Sequence, residues 1–215
     1  QRLRAIWYLI CMIQFNYYKI LGLPVQPCID ESALKANYLK LSASVHPDRE
    51  GGHPDEDPEQ PDAALVNEAQ RILSHTPSRL KHLLTLQTGS APGNLRQVPD
   101  ELGDFFMEIG ALLHKLDTII KDKPGEDASE LSRILFLKKS MSIRQLVESM
   151  LKKINQQIDR LQSQLESLNE GWKLIETDHT ISPELSQNLT PLYHEWTFFE
   201  RWRGQLSERL LEMTV

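Results

Sequence analysis

Cysteine is nearly absent from this 215-residue chain: Cys11 and Cys28 are the whole complement, and no C-x-x-C pair occurs. That argues against a disulfide framework or a zinc knuckle and fits a reducing compartment, so a cytoplasmic protein is expected. The chain also lacks a Gly-rich phosphate loop, an H-E-x-x-H pair and a nucleophile elbow, so neither an enzyme nor a bound cofactor is expected. An excess of base is missing too. The net charge is −6, which disfavours nucleic acid as a partner because such binding relies on clustered Lys and Arg. Long hydrophobic runs are absent, and the apolar stretch within residues 1–14 is too short to span a bilayer. No membrane partner is expected. Residues 1–14 are read as a leader, either a mis-assigned start with Met12 as the natural first residue or a disordered extension.

What the chain does contain is helical periodicity around one polar tripeptide, His46-Pro47-Asp48. Leu34, Tyr38, Leu41 and Val45 fall on one face of a helix from Asp30 to Val45, with Asp30 as its N-cap and Glu31 complementing the helix dipole. Pro47 lacks an N–H and pushes His46 away from helical dihedrals, so the helix should stop there. Leu65, Val66, Ala69, Ile72 and Leu73 mark a second helix, capped by Asp62, that can lie antiparallel against the first. Between them, residues 48–62 carry seven acids against Arg49 alone, which accounts for the net charge of the whole chain. Three prolines and the Gly51-Gly52 pair exclude regular structure there. A second tripeptide, His53-Pro54-Asp55, does not directly follow a helix and is read as loop. His46, Asp48, His53, Asp55 and Asp57 are hard-metal ligand types, but a solvated acidic loop is the reading adopted, and no metal is expected.

Two helices joined by a loop that starts with His-Pro-Asp resemble the centre of a J-domain. The resemblance extends through Asn16-Tyr17-Tyr18-Lys19-Ile20-Leu21-Gly22-Leu23-Pro24, similar to a J-domain's first helix, and Val66-Asn67-Glu68-Ala69-Gln70-Arg71-Ile72-Leu73, similar to its third. Thr76-Pro77 has the N-cap plus N1-proline signature of a separate fourth helix. There Pro77-Ser78-Arg79-Leu80-Lys81-His82-Leu83-Leu84 is similar to the HscB-type iron–sulfur co-chaperones. The domain is read as residues 15–88, followed by a linker over 89–99 that opens with Gly89-Ser90-Ala91-Pro92-Gly93-Asn94.

Residues 100–215 read as three helices. The first runs from about Asp100 to Lys121, and the last from about Pro183 to Met213. The second, from about Ala128 to Glu176, carries Val147, Leu151, Ile154, Ile158, Leu161, Leu165, Leu168, Trp172 and Ile175 alternately four and three apart. That 3.5-residue period is the spacing of a left-handed supercoiled seam. An antiparallel three-helix bundle or coiled coil follows, as a monomer or as a homodimer through these helices. The runs Phe105-Phe106-Met107-Glu108-Ile109-Gly110 and Thr197-Phe198-Phe199-Glu200-Arg201-Trp202 are similar to the first and last bundle helices of HscB proteins.

The resemblance implies an all-α, L-shaped molecule in which a J-domain precedes a bundle. It implies a co-chaperone that stimulates the ATPase of a DnaK- or HscA-type chaperone and delivers an IscU-type iron–sulfur scaffold. The chaperone-binding residues it points to are His46, Pro47 and Asp48. The charges of Lys35, Lys40 and Arg49 can add attraction to an acidic partner surface. By position it makes Phe106, Met107 and Phe198 an apolar client patch with Glu108 on the rim. Gly110 stands where the family usually has leucine. The rival readings are a J-protein whose unrelated client binds the long coiled-coil helices, and a structural helical interaction protein.

Overall fold

The computed structural model describes residues 15–44, 61–93, 98–125, 127–173 and 183–214, and every regular element among them is helical. We number these helices α1 (Tyr17–Ile20), α2 (Glu31–Ser44), α3 (Ala63–Ser74), α4 (Thr76–Thr88), α5 (Gly103–Lys121), α6 (Glu130–Lys173) and α7 (Pro183–Thr214). A 3₁₀ turn, Asp100–Leu102, leads into α5. The expected leader and the His46-Pro47-Asp48-Arg49 run with its acidic loop lie outside the described residues.

The helix starts follow the capping chemistry of the sequence. Asn16 Oδ1 accepts from the Lys19 N–H at 3.2 Å to start α1, and Asp30 Oδ1 accepts from the Ser32 N–H at 2.8 Å ahead of α2. Asp62 Oδ1 accepts from the Leu65 N–H at 2.6 Å to start α3. Each cap satisfies a donor that the first helical turn leaves open. One boundary differs from the expectation by a residue: His75 is the joint between α3 and α4, so Thr76 is already helical and Pro77 follows it in the first turn. Glycine serves two exits that need a left-handed backbone, Gly22 after α1 (φ 60°) and Gly89 after α4 (φ 70°). At the first, Asn37 Nδ2 on α2 donates to the Leu21 carbonyl at 2.8 Å and fixes the Leu-Gly-Leu turn.

The chain divides into two compact units, and the division does not follow chain order: Gln1–Gly93 groups with Gln164–Tyr193, and Asn94–Ser163 with His194–Val215. One division falls between Gly93 and Asn94, and the end of α6 and the start of α7 group with the first unit.

In the first unit, α3 is the central helix and packs on α1, α2 and α4. Tyr17, Tyr18, Leu34, Val66, Ile72, Leu73, Leu80 and Leu83 are buried in its core. Tyr38 meets Asn67 at 2.9 Å, while Glu31 and Leu34 share a groove with Gln70 and Ser74, so α2 and α3 run antiparallel. The late part of α6 closes the unit through two long-range hydrogen bonds. Trp172 Nε1 donates to the Val25 carbonyl at 2.9 Å, and the Cys28 N–H donates to Asn169 Oδ1 at 2.9 Å.

The second unit is a three-helix bundle of α5, the early part of α6 and the late part of α7. Ile109, Leu112 and Leu116 of α5 are buried together with Ile143, Val147, Met150, Ile154 and Leu161 of α6, and with Phe199, Trp202 and Leu206 of α7. Ion pairs Glu108–Lys153 (2.9 Å), Arg160–Glu195 (2.9 Å) and Asp117–Arg209 (2.8 Å) fix the register. The heptad seam is therefore core of a single chain: Val147, Ile154, Leu161, Leu165 and Trp172 are buried, with Leu151, Ile158 and Leu168 half-buried between them.

Candidate functional site

The expected chaperone-binding run leaves from the end of the α2–α3 pair. That end is held firmly. Tyr38 Oη donates to Asn67 Oδ1, Ser44 Oγ returns to the Leu41 carbonyl at 2.7 Å, and Asp62 caps the helix that resumes the chain. His46, Pro47, Asp48 and Arg49 themselves lie outside the described residues, as does the acidic loop with its candidate metal ligands. Among the described residues no group of His, Cys, Asp and Glu is arranged to hold a metal, and no helix is long and apolar enough to cross a membrane.

Lys35 and Lys40 are both exposed on α2. Five residues apart on a helix, they point about 140° away from each other, so a flat partner surface does not meet both equally. Lys35 instead shares its face with Leu39, one turn on and 56% exposed. Leu39 was not singled out from the sequence, although it falls off the apolar stripe of Leu34, Tyr38 and Leu41. An apolar residue out of phase with its helix's buried face is the available signal.

The buried centre of the first unit joins α1 to α4 by one imidazole. His82 Nε2 accepts from the Tyr17 N–H at 3.2 Å, and the ring lies 4.5 Å from the Tyr17 ring and 5.9 Å from that of Tyr18. Since Nε2 accepts, Nδ1 carries the proton, and that N–H is buried without a hydrogen-bond partner. Burial disfavours the imidazolium and pushes the pKa down to about 4. Nearby, Arg79 is buried with its charge spread over three acceptors: the Pro27 carbonyl (2.8 Å), the Leu73 carbonyl (2.7 Å) and Thr76 Oγ1 (3.1 Å). It satisfies a carbonyl near the end of α3 and ties the 27–28 turn to α4. Arg79 thus positions the α3–α4 joint, and His82 seats α1 against α4. Tyr18 donates to the Gln26 carbonyl at 3.1 Å, and burial pushes its phenol up.

In the second unit, Phe106 and Met107 stand out of α5 at 49% and 70% exposure. Phe105 turns inward and meets the Phe199 ring edge-on at 5.3 Å. Glu108 pairs with Lys153, with both side chains about half exposed. Phe198 does not stand out as a surface patch would require. Its ring is largely covered, 5.6 Å from the Trp202 ring and with the Arg201 guanidinium 5.6 Å from its centroid. Gly110 is exposed one turn beyond Phe106, so the apolar surface stops there for want of a side chain.

The frame just described, four short helices with α3 central and α2–α3 antiparallel, coincides with a family match. The DnaJ domain matches residues 16–82. The protein carries a J-domain. Among curated proteins, the chain is 31% identical over 114 residues to the co-chaperone HscB of Proteus mirabilis, covering 52% of this chain and 65% of that protein. It is 40% identical over 72 residues to an HscB homolog of Acinetobacter baylyi, covering 34% of this chain and 40% of that one. The matched stretches span less than two thirds of these relatives. The structure of HscB from Vibrio cholerae superposes with a TM-score of 0.50 at 19% identity over 90% of this chain and 96% of that one, a likeness of fold. The protein is thus J-domain-bearing and HscB-like, and every regular element among its described residues is helical.

Proposed function

We propose that this HscB-like protein stimulates the ATPase of a DnaK- or HscA-type chaperone through its J-domain and presents to it a client held on the bundle. The observation that carries the reading is the J-domain frame: a capped α2–α3 hairpin stapled by Tyr38 and Asn67, from which His46-Pro47-Asp48 departs. Asp48 is the residue assigned to pair with a partner arginine, with His46 and Pro47 directing it. Lys35, Lys40 and Arg49 add a screened attraction, so the encounter weakens as salt rises. No covalent step belongs to this chain. It accelerates hydrolysis by binding the hydrolysis-competent form of the chaperone better than the other forms, because equal affinity for every state shifts nothing. Titrating the chain against the ATP-bound and ADP-bound chaperone tests this. Tighter binding to the ATP form is expected, and equal binding to both would overturn it.

The client is proposed to be an IscU-type scaffold, received on Phe106 and Met107 with Glu108 at the rim. Their exposure supports the assignment, since Met and aromatic side chains supply adaptable apolar contact. Phe198 would join only if its ring left the cover of Trp202 and Arg201. Changing Phe106→Ala and Met107→Ala together is expected to lower scaffold affinity at least about tenfold while chaperone stimulation survives. Unchanged affinity for the scaffold would remove the client assignment. The cytoplasm is the compartment this function fits.

A further inference from the structure

α2 is the helix that leads to His46-Pro47-Asp48, and it is lightly packed. Of its 14 residues, Leu34 is the one whose side chain is fully buried. So narrow an apolar face does not set a helix's direction by itself. Asn37 and Tyr38 hold the middle of α2, to the Leu21 carbonyl and to Asn67. Its start is held through the turn that precedes it, residues 25–28, and each residue of that turn is hydrogen-bonded. Tyr18 Oη donates to the Gln26 carbonyl at 3.1 Å, and Arg79 Nε to the Pro27 carbonyl at 2.8 Å. Trp172 Nε1 donates to the Val25 carbonyl at 2.9 Å, and the Cys28 N–H donates to Asn169 Oδ1 at 2.9 Å. Asp30, two residues on, accepts from the Ser32 N–H as α2 begins.

Tyr18 and Arg79 lie inside the residues 16–82 that match the DnaJ domain. Asn169 and Trp172 do not. They belong to α6, far past the end of that match, yet both are buried and group in the same compact unit. A buried amide is costly unless it is hydrogen-bonded, and Asn169 turns its oxygen on a backbone donor outside its own helix. We propose that Asn169 and Trp172 are positioning residues for the J-domain's action on the chaperone. By holding the 25–28 turn they set the start of α2, and with it the place of the chaperone-binding run that follows. This rests on the function proposed above and adds to it a dependence on α6. Leverage makes the hold matter. A helix of 14 residues is about 20 Å long, so a tilt of about 10° at its start moves the other end by about 3–4 Å. If α2 is loosened, only a fraction of the molecules are competent at any moment. Apparent affinity falls by that fraction, while the complex once formed is the same. The signature is a raised half-saturating concentration at an unchanged plateau.

Single-turnover ATP hydrolysis by a DnaK- or HscA-type chaperone, titrated with the full chain, tests this, with circular dichroism as the folding control. Asn169→Leu fills nearly the same space without an acceptor for the Cys28 N–H. It is expected to raise the half-saturating concentration about fivefold while the plateau rate stays within about twofold of the parent. Trp172→Phe, which loses the N–H and keeps a ring, is expected to act in the same direction. Asn169→Asp keeps an oxygen in the same place and should return the titration to within about twofold of the parent. Amide hydrogen exchange reads the same hold without the chaperone. The Leu34 N–H, which donates to the Asp30 carbonyl at 2.9 Å, should exchange about tenfold faster in Asn169→Leu and at the parent's rate in Asn169→Asp. A folded Asn169→Leu that titrates and exchanges like the parent would overturn the proposal. So would a lowered plateau at an unchanged half-saturating concentration, or an Asn169→Asp no better than Asn169→Leu. A parent that accelerates no hydrolysis would overturn the functional reading and this dependence with it, even where Leu34 exchange shows α6 holding α2.

Discussion

At the scale of single residues, His82 makes the first unit sensitive to acid. Its folded pKa lies near 4 against an ordinary 6.5, so the neutral form fits the fold. Stability is full above about pH 6.5, falls as pH drops through that window, and the loss is complete below about pH 4. At pH 4.5 the loss is on the order of 2 kcal/mol. Replacing His82→Gln keeps an acceptor for the Tyr17 N–H but removes the titration. Urea unfolding at pH 7 and pH 4.5 should show a correspondingly smaller difference in the variant, and an unchanged difference would remove His82 as the cause. The sequence did not show this residue's place. It lies in the Pro-Ser-Arg-Leu-Lys-His-Leu-Leu run, but periodicity reports which face is apolar, and a polar ring buried beside two tyrosines leaves no mark in it. The same holds for Arg79, whose three acceptors come from Pro27, Leu73 and Thr76.

At the scale of elements, the helices were legible and the grouping of their ends was not. Asp30 and Asp62 announce α2 and α3 through capping, and the Asp100, Lys121 and Pro183 boundaries hold to within a few residues. Trp172 fits the heptad pattern of α6 and Asn169 is a polar residue one turn before it, so nothing local marks them as partners of Val25 and Cys28. A hydrogen bond spanning 141 residues, such as Cys28 to Asn169, carries no periodic signature. For α5 the departure at Gly110 has a direct consequence. A Cβ built there meets nothing within 4 Å, and the residue is exposed in the helix interior. Gly110→Ala should stabilise the bundle by about 0.8–1 kcal/mol in a denaturant midpoint measurement. A destabilising result would mean that this backbone departs from a regular helix when α5 works.

At the scale of the whole molecule, the proposed function divides two tasks between two units. One unit carries the J-domain with the end of α6 and the start of α7. The other carries an exposed Phe106–Met107 face and the exposed apolar residues at the start of α6. The proposed function turns on one residue of the sequence between α2 and α3: the Asp48 carboxylate is proposed to act on another protein's ATPase. Its most direct test is single-turnover ATP hydrolysis by a DnaK- or HscA-type chaperone, measured with the parent chain and with Asp48→Asn at equal concentration. The parent is expected to accelerate hydrolysis, and the folded variant to leave it at the chaperone's unassisted rate. Acceleration by Asp48→Asn equal to that of the parent would contradict it.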